Sequence, residues 1–149
     1  MSLVEQVRAS GSYSEALDLT IAHFRADSGT IHMLEMDGLL HLKAASKGLP
    51  EVVLARVRTV PVGKGMAGLA VERAEPVGAC NIQTDASGDV RPGAKMTGME
   101  GAVVVPVFQD GNAVGALGIA NRAERTFSSE ETSLLIEVGR AIARIVPSN

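Results

Sequence analysis

Cysteine, aromatic residues and excess positive charge are all scarce in this sequence. There is one cysteine, Cys80, no tryptophan, one tyrosine and three phenylalanines. A single thiol excludes an internal disulfide and a multi-cysteine metal site, and it suits a reducing compartment, so a cytoplasmic protein is expected. Tyr13, Phe24, Phe108 and Phe127 are too scattered to build the stacking platform of a single-strand nucleic-acid binder. Lys and Arg number 14 against 17 Asp and Glu, a net charge of −3, which leaves no basic face for nucleic acid. The longest apolar runs, such as 101–108, fall far short of the ~20 residues of a membrane span, so no membrane partner is expected. Glu5 and Arg8 precede any apolar stretch, which argues against a secretory leader.

What is present suits one folded domain. The 149 residues are 46% hydrophobic and 21% charged, enough apolar material for a sizeable core. Residues 1–11 read as a short N-terminal helix, with Leu3, Val4 and Val7 on one side, and 12–149 as the domain proper. Ser12 to Glu15 forms a capping-box pattern that opens a helix through Leu17, Ile21 and Phe24. Runs 30–36 and 39–45 flank Asp37-Gly38, the signal for a two-residue hairpin turn with positive φ at both positions. That register pairs Met36 with Leu39 and puts His32 and His41 on one face. Runs 101–108 and 113–121 flank Asp110-Gly111, a second such hairpin. Its valines are apolar on both faces, which predicts central strands covered on both sides.

Between the hairpins lie a short helix at 51–56, a strand at 59–62, a helix at 66–73, a strand at 76–82 and a long Gly/Pro-containing loop at 84–99. A loop of that length in a compact domain points to function, here a pocket lid at 84–98. Ser128 to Glu131 is another capping box. It opens a closing helix with Leu134, Leu135, Val138, Ile142, Ile145 and Val146 on one stripe. The order predicts an α+β domain, an antiparallel sheet with helices packed on it.

Several residues invite chemistry and mostly have plainer readings. Gly63-Lys64-Gly65 lacks the spacing of a phosphate loop, so its glycines read as a tight helix entry. Two histidines without a third ligand do not make a metal site, and no metal is expected. Cys80 has neither a base nor a resolving partner. It reads as a buried small hydrophobe, with pocket lining as the alternative.

Taken in order, the elements resemble a GAF domain over residues 13–146. The resemblance rests on the helix-then-hairpin opening and on 62–68 (Val-Gly-Lys-Gly-Met-Ala-Gly). It rests also on strands 103–107 and 114–118, and on Phe127 before an acidic helix start. It implies terminal helices on one face of the sheet and a short helix plus a long loop on the other. It further implies a small-molecule pocket under that helix and loop. By position, the lining would be His32, Met66, Leu69, Cys80, Asn81, Thr84, Asp85, Met96, Thr97 and Glu100.

The cyclic-nucleotide signature of the family falls on Asn121, Arg122, Phe127, Glu131 and Thr132, three of which differ in type. What survives is a strand-to-helix ion pair, Arg122 with Glu131. Free methionine sulfoxide reductases of this fold use cysteines in the middle helix and the long loop. Met66, Ala67 and the segment 91–100 supply none. Bilin attachment lacks its aromatic surroundings. The function implied is ligand sensing without catalysis or a resident cofactor, its signal passed through the terminal helices of a homodimer. The alternatives are a structural, dimerising domain with a collapsed pocket and, less favoured, the reductase.

Overall fold

A computed structural model of the chain describes residues 1–85 and 97–145. Among them, helices and strands follow in the order α1 (Leu3–Ala9), α2 (Tyr13–Phe24), β1 (Ser28–Leu34), β2 (Leu39–Ala45), α3 (Glu51–Val57) and β3 (Thr59–Pro61). Then come α4 (Gly65–Arg73), β4 (Val77–Ala79), β5 (Gly101–Gln109), β6 (Asn112–Asn121) and α5 (Ser129–Ile142). The strands form one six-stranded antiparallel sheet in the order β3-β2-β1-β6-β5-β4. The valine-rich hairpin thus supplies the central β6 and its inner neighbour β5, as the apolar patterning requires.

Alternation along β5 divides the core. Val103, Val105 and Val107 join Ile31, Leu117, Leu17, Leu135, Val138 and Ile142 beneath the terminal helices. Ala102 turns to the other side with Met66, Ala70, Val77, Ile82 and Met99. This is the expected α+β, GAF-like arrangement, with α1, α2 and α5 on one face and α4 on the other. In α1, Leu3 and Val7 are buried in the chain's own core. Val4, Leu134 and Ile145 pack against the same core and stay partly exposed.

The helix starts follow their caps. Ser128 and Glu131 make both reciprocal bonds of a capping box at α5. At α2 the Ser12 hydroxyl accepts from the Glu15 amide, but the Glu15 carboxylate accepts from Gly11 instead.

The two Asp-Gly turns differ. Asp110 and Gly111 have φ of 52° and 83°, the mirror-image turn expected, with Gln109 opposite Asn112. In the first hairpin only Gly38 has positive φ, at 81°. The Asp37 carboxylate accepts from the Leu39 amide at 3.0 Å, and the Glu35 amide donates to Leu39. The result is a three-residue loop of Met36, Asp37 and Gly38. Leu34 then pairs with Leu40, Met33 with His41 and His32 with Leu42. One residue of slip moves a strand's side chains to the opposite face, so His32 and His41 lie on opposite faces rather than the same one.

Candidate functional site

On the face away from the terminal helices lies a cavity of about 270 Å3. Its floor is low because β5 and β6 carry Ala102, Gly118 and Ala120 there. Val53, Arg56 and Val57 of α3 wall one side, and Gly65, Met66 and Ala67 of α4 wall another. Leu49, Val60, Ile82, Thr97 and Met99 are also part of the described lining.

α4 holds its place through a close backbone approach. The Gly63 amide donates to Gly68 at 2.9 Å, and the Gly68 amide to Lys64. A side chain on Gly68 would run into the Pro61 carbonyl. The first-turn amides of α4 have no acceptor within the helix, and Lys64 adds no side-chain cap. Those amides belong to residues that line the cavity.

His32 is the buried polar residue of the site, 3% exposed. Its Nε2–H donates to the Val57 carbonyl at 2.8 Å, and a carbonyl only accepts. The lone pair therefore sits on Nδ1, which has no partner among the described residues. Burial holds the imidazole below its ordinary pKa, with the Val57 bond partly opposing it, so the ring is neutral. Arg56 is exposed at the rim and forms no ion pair among the described residues. No carboxylate side chain is found among the described lining.

Of the residues carried over by position, His32, Met66 and Thr97 line this cavity. Leu69 packs instead into the cluster of Met66, Ala70 and Val77. Cys80 is exposed, not a buried hydrophobe: β4 ends at Ala79 and Cys80 lies in the bend that follows. Asn81 donates to Glu124 at 2.7 Å, away from the cavity. Thr84 is exposed, and neither Asp85 nor Glu100 is part of the lining. Met96 and most of the lid segment 84–98 lie outside the described residues. The α3 wall was missed, although Val53, Arg56 and Val57 share one helical face by their spacing of three and four.

The strand-to-helix ion pair is also reassigned. Glu131 meets Arg125 at 2.7 Å, not Arg122. Arg125 donates in addition to the Phe24 carbonyl and the Asn121 side chain, each at 2.8 Å, and covers the Phe127 ring. Arg122 offers its backbone amide to Asp27. The Ser128 amide, and then Arg125, hold the Glu131 carboxyl below its ordinary pKa.

A sheet backed by terminal helices and fronted by a roofed, mostly apolar cavity defines an α+β domain built around a small-molecule-sized pocket. The sequence profile of the GAF domain family matches residues 13–146, and the chain belongs to that family, whose members are small-molecule-sensing and regulatory modules. Among solved structures it is similar to the GAF domain of an Acinetobacter phosphoenolpyruvate-protein phosphotransferase. There the TM-score is 0.77 at 19% identity, covering 96% of this chain and 87% of that one. The corresponding Coxiella burnetii domain gives 0.75 at 22% identity, with the same coverage of 96% and 87%. A type II free methionine-R-sulfoxide reductase from Thermoplasma acidophilum gives 0.73 at 20%, covering 97% and 94%. No curated protein sequence matches. Among the described residues, no helix is long and apolar enough to cross a membrane.

Proposed function

We propose that this GAF domain is a ligand-sensing regulatory module that binds a small molecule between the sheet and the α3–α4 roof, without catalysis. The observation that carries the reading is the cavity itself, apolar in most of its described lining, with the Nδ1 of His32, unpartnered among the described residues, as a polar anchor. Such a balance suits recognition of a compact organic ligand. An apolar cavity of about 150 Å3 already admits benzene.

The shared strands give occupancy a route to the terminal helices. Thr30 and His32 on β1 line the cavity, while Ile31 and Met33 pack under α1, α2 and α5. The reductase reading draws on the fold of the Thermoplasma enzyme. The exposed position of the single cysteine, outside the cavity lining, weighs against it.

Amide NMR of the folded protein against a fragment library tests the proposal. Hits are expected to shift His32, Val53, Met66 and Thr97 and to slow hydrogen exchange in β1 and β6. A library that moves none of those signals overturns the reading.

A further inference from the structure

The lining suggests which ligand the cavity takes, given that it is a ligand site. Among the described lining, Arg56 is the one charged residue and no carboxylate is present to receive an ammonium group. The first-turn amides of α4, which have no acceptor within the helix, add to the preference for an anion. The preference is limited, however: with one guanidinium, the site suits a single carboxylate better than a multiply charged phosphate. The second polar requirement comes from His32. Its Nδ1 can only accept, and it is buried with no partner among the described residues. A ligand N–H or O–H would satisfy it, whereas a second acceptor would be repelled. The Val57 bond holds the imidazole against the residue next to Arg56 in α3, so the two requirements fall on neighbouring parts of the lining. The rest of the wall, including Val53, Met66, Ile82 and Met99, is apolar.

We propose that the cavity selects a compact apolar monocarboxylate bearing a neutral hydrogen-bond donor, as in a hydroxy or N-acyl acid, over the corresponding amine or amino-acid zwitterion. This rests on the reading of the cavity as a ligand site. The carboxylate lies at the Arg56 rim, the donor on His32 and the aliphatic body over Ala102 and Ala120.

Five probes with closely similar branched aliphatic bodies test this: isocaproate, its α-hydroxy derivative, leucine, isoamylamine and isohexanol. Binding is read by calorimetry and by amide shifts at His32, Met66 and Thr97. The hydroxy acid is expected to bind more tightly than isocaproate, with leucine and the amine about tenfold weaker. Arg56→Gln is expected to weaken both acids about tenfold and leave isohexanol unchanged. If isohexanol shifts the cavity signals but the acids bind no better than the amine, the charge preference is overturned and the ligand site stands. An equal loss for acid and alcohol in Arg56→Gln overturns it as well. If none of the five shifts those signals, the proposal falls together with the ligand-site reading.

Discussion

Replacing Gly68 with alanine sets helix propensity against packing. In an open helix interior, Gly→Ala stabilises by about 1 kcal/mol. Gly68 sits in the first turns of α4, where an added Cβ would fall well inside contact distance of the Pro61 carbonyl and 3.1 Å from the Gly63 amide nitrogen. Both obstacles are backbone, so α4 must move rather than a side chain rotate. Forced overpacking costs about 1–3 kcal/mol. The movement also strains the bonds from Gly63 to Gly68 and from Gly68 to Lys64, at about 0.5–1.5 kcal/mol each. The expected net effect is a destabilisation of about 1–5 kcal/mol, read as a lower urea midpoint at unchanged m. For a chain of this size that lowers Tm by about 2–4 °C per kcal/mol. Gly11→Ala, where an added Cβ meets nothing within 4 Å, is the control and is expected to be neutral within about 0.5 kcal/mol. If Gly68→Ala equals or exceeds the parent in stability, α4 is not seated on β3 as described, and the cavity wall is misplaced with it.

Arg125→Ala is expected to cost about 1.5–3 kcal/mol in chemical denaturation because it strips charged hydrogen bonds from Phe24, Asn121 and Glu131, while Arg122→Ala stays within about 0.5. Equal effects of the two would contradict the reassigned ion pair. Val105 is fully buried, so Val105→Asp is expected to abolish cooperative unfolding, and a soluble variant with unchanged Tm would contradict the core assignment. Burial lowers the folded-state pKa of His32, so the unfolded chain takes up that proton first as pH falls below the ordinary value of about 6.5. The stability from keeping His32 neutral is thus present above that value and is lost as pH drops through it. His32→Gln should flatten the loss between about pH 7.5 and 5.5, and an unchanged slope would show that another group sets it.

How much the sequence revealed follows the range of the interactions involved. The second hairpin was legible because Asp110-Gly111 sets its own turn and the flanking valines require cover on both faces. The same dipeptide at Asp37-Gly38 misled, because the Asp37 side chain caps Leu39 and lengthens the loop by one residue. His32 and Met66 were legible as site residues because β1 and α4 face the cavity in any register of their neighbours. Cys80 and Asn81 were misplaced because β4 stops at Ala79, a limit set by pairing with β5. The α3 wall depends on how a short helix docks across the sheet, and local periodicity does not encode that. Arg125 rather than Arg122 reaches Glu131 because the chain turns after Asn121, beyond what charge sign alone conveys.

Ligand sensing by this domain depends on an open, ligand-sized cavity between the sheet and the α3–α4 roof. Methionine-methyl NMR of the folded protein under benzene or xenon tests it most directly. Met66 and Met99 line the cavity, Met33 packs beneath the terminal helices and Met36 is fully exposed, so the chain carries its own probes and controls. Saturable shifts of Met66 and Met99 are expected, with Met33 and Met36 unmoved. Silent Met66 and Met99 signals, or uniform shifts of all four, would contradict it.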